Sequence, residues 1–147
     1  MLFRSESLVV GIAGGVGAGK SMIARAIQNH FAPECALVCL DDYYKSTKHL
    51  TPQEIDVYNF DHPDAIDFKK LADDIVALKQ GKSVAVPDFS FCNQDRKPGS
   101  RIEPAKILII EGFLLFYDEA VRNLCDVKLF IDVSSKIRKE QIGRAHV

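Results

Sequence analysis

Residues 14–21 read GGVGAGKS, which satisfies the pattern GxxxxGK[ST] in full. Backbone without side chains can turn its N–H groups inward around phosphate oxygens. The following lysine can reach the β and γ phosphates, and the hydroxyl after it can serve Mg²⁺. Gly14, Gly15, Val16, Gly17, Ala18, Gly19, Lys20 and Ser21 are therefore the candidate grip for ATP or GTP with Mg²⁺. Two acids stand where a second half of the chemistry could lie. Asp41, followed by Asp42, ends one apolar run in LDDYYK, and Glu111 ends another in ILIIEG. Carboxyl ends of strands in an open α/β sheet face the ligand crevice, so Asp41 there can accept a hydroxyl proton and bind Mg²⁺ through water. Glutamate is almost never buried unpaired, and a metal shared with the glycine loop is the best explanation for Glu111. Together these residues point to phosphoryl transfer. An Asn-Lys-x-Asp segment for reading a guanine base and an LSGGQ-like transporter signature are both absent from the sequence.

Such groups need a rigid frame, and the hydrophobic pattern supplies one. LVVGIA (8–13), ALVCL (36–40), KILIIEG (106–112) and VKLFIDV (127–133) are near-continuously apolar, as strands buried on both faces of a parallel sheet must be. Ile23, Ile27 and Phe31 recur every fourth residue after the glycine loop, which predicts a helix. Phe68, Leu71, Ile75 and Leu78 predict a second, between an N-cap at Asp67 and a C′ glycine at Gly81. YDEAVRNLC predicts a third, shorter one. Strand alternating with helix is the signature of a doubly wound α/β sheet of the P-loop nucleotide-hydrolase type. Residues 45–67 form a long polar excursion with Pro52 and Pro63, and excursions of that length in one domain tend to be functional. Residues 83–101 read as an inserted hairpin rich in Phe that runs into a basic turn.

The chain has 147 residues, 47% of them hydrophobic, which suits one domain with a real core. A net charge of -1 gives no global field for nucleic acid or anionic membrane, and no apolar run approaches the roughly 18 residues of a membrane span. No secretory leader is recognisable, and the expected location is the cytoplasm. Cys35, Cys39, Cys92 and Cys125 form no CxxC and read as structural thiols. The closing IGRAHV (142–147) reads as a translated sequencing adapter, so the domain is taken as 1–141.

GIAGGVGAGKS, LDDYYK, YNFDHPDAID, VPDFSFCNQDRKPG and IIEGFLLF follow one another in the order and approximate spacing of the uridine kinase family, and the chain resembles the wider group that includes phosphoribulokinase. That resemblance covers most of residues 8–138. It implies ATP-dependent phosphorylation of a pyrimidine nucleoside 5′-hydroxyl by a single P-loop kinase domain. Asp41 matches the carboxylate that activates the hydroxyl and helps organise Mg²⁺, with Lys20 as the other catalytic group. Ser21 and Glu111 match the remaining metal-organising residues. Asp61 matches the residue that holds ribose hydroxyls, and Phe60 the aromatic beside the base. Tyr44, in LDDYYK, belongs with the acceptor site. His62, before a proline, is expected to be a structural hydrogen-bonder rather than a base.

Some positions depart from that pattern. Phe89 falls where the family has a base-reading Tyr, Ser90 where it has Asp, Phe91 on its second aromatic, Gln94 on its base-reading His, and Arg96 on its Arg. Stacking is kept while polar readout changes, because Phe89 has no hydroxyl and Gln94 can both donate and accept. Arg138 matches the start of an arginine-rich helix and lid whose later arginines have no counterpart in this sequence, which implies weak nucleotide binding and poor turnover without them. The expected partner is a nucleoside-like small molecule, with neither nucleic acid nor membrane, and with a homo-oligomer open at full length. Other acceptors, among them a sugar phosphate, pantothenate or nicotinamide riboside, and a non-catalytic nucleotide-binding module are the alternatives. A phosphorylated acceptor would call on Arg96 and Lys97.

Overall fold

The computed structural model describes residues 7–15, 17, 19–90 and 95–132. Along them run β1 Leu8–Gly14, α1 Lys20–Phe31, β2 Cys35–Cys39, α2 Pro52–Asp56, α3 Phe68–Lys79, β3 Val84–Ser90, β4 Asp95–Ile102, β5 Ile107–Gly112, α4 Glu119–Leu124 and β6 Val127–Ile131. Four of the strands make a parallel sheet in the order β2-β5-β1-β6, and β3 pairs antiparallel with β4 as a separate hairpin. This is the doubly wound P-loop architecture with an inserted hairpin that the apolar pattern predicts. Successive side chains along a strand point to opposite faces. Val10, Ile12 and Ile109 meet Ala24, Ile23 and Ile27 of α1 on one side. Val9, Val38, Leu108 and Ile110 meet α3, α4 and the hairpin on the other. Covering both faces is why these runs contain almost no polar residue.

Four apolar positions, one at the end of α1 and three on β6, differ from expectation. Phe31, the last residue of α1, is 45% exposed, with its ring edge-on to His30 at 4.8 Å. On β6, Val127, Leu129 and Phe130 are exposed, and β6 pairs with β1 alone among the described residues.

The excursion folds back on itself. Tyr44 bridges to Ile66, and the Lys45 N–H donates to the Ala65 carbonyl at 2.9 Å, so the two ends of the loop meet. Within it, α2 starts at a capping box: the Thr51 hydroxyl accepts from the Glu54 N–H, and the Glu54 carboxylate accepts from the Thr51 N–H.

α3 buries Phe68, Leu71, Ile75 and Leu78, each worth about 1.5–3 kcal/mol of apolar burial as an upper estimate. Gly81 follows the helix with φ 83°, a left-handed conformation that glycine adopts without strain. At the other end, Asp67 caps α3 by accepting from the Lys70 N–H at 3.0 Å. Its second oxygen receives the Arg96 guanidinium at 2.8 Å, which ties the hairpin to the helix. Burial alone would raise the Asp67 carboxyl, but the Arg96 and Lys70 hydrogen bonds and the charges of Arg96 and Lys45 outweigh it and hold the group below its usual range. A carboxyl depressed in the folded state lends stability that is complete above its unfolded value and is lost as pH falls through the folded one. Arg96→Ala should therefore destabilise by about 1 kcal/mol at neutral pH, an amount suited to a partly exposed charge-assisted pair. Urea unfolding of wild type and variant should show the gap closing as pH drops below about 4.

Candidate active site

β1 delivers the chain to the glycine loop, and α1 opens at Lys20 immediately after it. Gly17 and Gly19 have φ of 80° and 88°, a region that a side chain would strain. The space where a Cβ on Gly19 would lie is open, with no atom within 4 Å. Gly19 provides no side-chain cap and the first turn of α1 holds no acid, so the amides and positive dipole end of this 12-residue helix are not neutralised by its own side chains. A phosphate group fits there on chemistry and on room. Val16 and Ala18 lie outside the described residues.

Strand register brings the acids to the same place. Glu111 pairs with Ile12 of β1 on one side and Cys39 of β2 on the other, and the 3-10 turn Leu40–Tyr43 begins one residue beyond Cys39. Gly112 sets how close that turn comes: a Cβ there would lie 2.3 Å from the Cβ of Leu40. Leu40 and Tyr43 are wholly buried, while Asp41 is exposed and Asp42 partly so.

Glu111 is only 5% exposed. Ser21 Oγ donates to its Oε1 at 3.3 Å, and its Oε2 is buried with no hydrogen-bond partner. Burial, then the charge and hydrogen bonding of Glu111 beside it, then Asp42 and Asp41, push the Cys39 thiol up to about 12, so that it stays neutral. Asp42 is pushed up to about 6 by burial, then by the charges of Asp88 on β3, Asp41 and Glu111. Four carboxylates thus share one neighbourhood with an orphaned buried oxygen at its floor.

Excess negative charge among hard oxygens fits Mg²⁺. Among the described residues no three His, Cys, Asp or Glu side chains form a metal cage. That too suits Mg²⁺, which takes one or two carboxylates and completes its octahedron with water and substrate phosphate. Ser21 and Glu111 are placed to hold the ion, with Asp41 near.

Beyond the acids lies an aromatic patch. Tyr44 is 6% exposed, and its ring centroid is 5.6 Å from Phe60 and 5.4 Å from Phe89, while Tyr58 meets Phe60 at 4.7 Å. Burial, then the charges of Asp41 and Asp61, push the Tyr44 phenol up to about 12. Asp61 is exposed, on a turn where its N–H donates to Asn59 Oδ1 at 2.9 Å. Tyr44, Phe60 and Asp61 are therefore brought together on the Asp41 side of the loop.

Other expected residues lie elsewhere or differ in surroundings. Phe89 is 8% exposed within the main core cluster. Arg96 holds Asp67. His62 Nδ1 accepts from the Asp64 N–H at 3.1 Å, the structural role expected of it. Phe91, Gln94, Arg138 and the expected boundary at 141 lie outside the described residues. Asp88, flanked by Pro87 and Phe89 on a strand, carries no sequence mark of its nearness to Asp42. A cavity of about 420 Å³ lies at the opposite end of the sheet, lined by Ser7, Glu34 and Lys106, which precede β1, β2 and β5, and so is remote from the strand ends that carry these groups.

A parallel sheet whose first strand runs through a glycine loop into a helix, with an acid on the adjacent strand facing that helix, defines a P-loop kinase fold. The chain belongs to the phosphoribulokinase/uridine kinase family, whose profile matches residues 9–144. It is 36% identical over 133 residues to the uridine kinase of Chlamydia pneumoniae, covering 89% of this chain and 60% of that protein. It is 40% identical over 131 residues to the uridine kinase of Borrelia hermsii, covering 88% and 63%. The chain thus spans a little over three-fifths of the length of these relatives. Among solved structures, a candidate fructose transport system kinase from Silicibacter sp. TM1040 matches with a TM-score of 0.78 at 21% identity, over 97% of this chain and 73% of that one. A possible uridine kinase from Bacillus stearothermophilus matches with a TM-score of 0.70 at 16% identity, over 93% and 77%. These two likenesses speak to the fold.

The orphaned oxygen generates a test. A buried carboxylate with one oxygen unpaired costs stability until a cation arrives. Glu111→Gln should raise the melting temperature of the metal-free protein while abolishing most of the Mg²⁺-dependent gain in nucleotide affinity. Differential scanning fluorimetry with and without Mg²⁺ and ATP reads both effects.

Proposed function

We propose that this chain carries the catalytic core of an ATP-dependent kinase that phosphorylates the 5′-hydroxyl of a pyrimidine nucleoside. The observation that supports the reading is the packing of Tyr44, three residues after Asp41, against Phe60, the neighbour of Asp61, at 5.6 Å between ring centroids. Asp61, exposed beside Phe60, suits a ribose diol, since one carboxylate can accept two hydrogen bonds. Phe60 offers ring surface to a base. In this reading Asp41 is the proton acceptor for the attacking hydroxyl, and Lys20, which opens α1, serves the transferring phosphate. Mg²⁺, when bound, neutralises charge on the transferring phosphate. Phosphoryl transfer depends on such positioning and charge balance more than on covalent help. The reading implies a cytoplasmic enzyme acting on a small molecule.

A second acceptor class keeps some support from Phe89, which has no hydroxyl and is packed in the core. A nucleoside analogue or another primary alcohol without a pyrimidine edge would lose little there. A phosphorylated acceptor gains less support, because Arg96 is engaged by Asp67.

The deciding experiment is ATP consumption by the full-length protein with Mg²⁺ against uridine, cytidine, other nucleosides, pantothenate and ribulose 5-phosphate. Turnover with a pyrimidine nucleoside is expected. Turnover with a different acceptor alone would keep the kinase and reassign the pocket, whereas ATP binding by calorimetry with no acceptor-dependent turnover would favour a nucleotide-binding module. Asp41→Asn should lower kcat by about 10²- to 10⁴-fold with the KM for ATP little changed, and near-normal turnover would remove Asp41 as the base.

A further inference from the structure

Asp74 is an acid in the middle of the apolar stripe of α3, between Leu71, Ile75 and Leu78, and is only 4% exposed. Its Oδ2 accepts the Tyr43 hydroxyl at 2.7 Å, and its Oδ1 accepts Lys70 Nζ at 2.7 Å. Tyr43 is wholly buried and lies two residues after Asp41 in the turn Leu40–Tyr43. The same helix holds the backbone of that residue, because the Asp67 N–H donates to the Tyr43 carbonyl at 2.8 Å. The turn is thus pinned at both ends. Leu40 is pressed against Gly112 at its start, and Tyr43 is gripped by α3 through side chain and carbonyl at its finish. Between these pins Asp41 and Asp42 are the residues left facing outward.

For stability alone this arrangement is a poor choice. Replacing both partners of a buried hydrogen bond by apolar groups of similar shape is commonly near neutral or stabilising, and a Phe at 43 with a Leu at 74 would fill the same space. What the polar version adds is direction: any rotation of the turn strands the phenol or the carboxylate without its partner, at the full cost of desolvation. The buried phenol is held well above its ordinary value by burial and by Asp74, so it remains a donor.

We infer that Asp74, acting through the Tyr43 hydroxyl, is a positioning residue that fixes the orientation of the Asp41 turn for phosphoryl transfer. The inference rests on the kinase reading given above for its consequence, while the clamp itself has its own readout. In the full-length protein, Tyr43→Phe and Asp74→Asn should each lower kcat by about tenfold or more, with the affinity for ATP unchanged within about twofold. The double variant should be no slower than the worse single one, because both changes cut the same link. Amide hydrogen exchange at residues 41–44 should quicken in each variant more than in β1 and β5. Tyr43→Phe combined with Asp74→Leu should recover the melting temperature without recovering turnover. Variants that lose melting temperature yet keep wild-type kcat and wild-type exchange at 41–44 would overturn the inference, as would recovery of both properties in the apolar pair. If the wild-type protein turns over no acceptor, the kinase reading falls, and exchange at 41–44 alone decides the clamp: quickening sustains it and no change overturns it.

Discussion

Burial of the Glu111 carboxylate at the end of β5 is the constraint from which the rest of the site follows. A charge there, with one oxygen bonded to Ser21 and the other without a partner among the described residues, favours a cation beside it. Everything nearby is consistent with that demand. The adjoining thiol of Cys39 is kept neutral, and Asp41 and Asp42 follow on a turn held against Gly112. The first amides of α1 are not neutralised by its own side chains. Among the described residues no group of three acidic, His or Cys side chains forms a metal cage, and Mg²⁺ in general completes its shell with water and substrate phosphate. Phosphate and cation are each unfavourable guests alone, the one facing acids and the other facing a helix N-terminus, and become mutual partners when bound together.

Much of this was legible because its physical cause is local. A parallel strand covered on both faces must be apolar for its whole length, so β1, β2 and β5 announce themselves, and a charge at the end of such a run stands out. The loop of glycines followed by Lys20 and Ser21 has few other uses. Asp67 and Gly81 bracket α3 as a cap and a left-handed stop, because both signals lie within the residues they govern. His62 behaves as a turn residue before a proline should.

What escaped depended on contacts between distant segments. Asp74, an acid on the apolar face of α3, has no visible partner in the sequence until Tyr43, 31 residues earlier, is laid on it. Arg96 reads as a ligand-facing cation until the hairpin folds over α3 and hands it to Asp67. Burial of Phe89 depends on where the excursion puts Tyr44 and Phe60. The apolar run of β6 looks like any other covered strand, yet three of its side chains are exposed among the described residues, and strand order is not written in hydrophobicity. Resemblance supplied the candidate positions along the chain, and packing then determined which of them are exposed and which are buried.

The strand order has a consequence for how such a site comes into being during synthesis. β1 and β2, although made early, do not touch each other; β5 is inserted between them. Until residues 107–112 leave the ribosome, the two segments that carry Ser21 and Asp41 have no shared ladder, and the hairpin is already complete before the strand that unites them appears. Nucleotide therefore has nothing whole to bind for most of the chain's emergence, and the ordering free energy of the site falls due late and all at once. A protein built this way passes from a chain without a site to a chain with one in a single docking event.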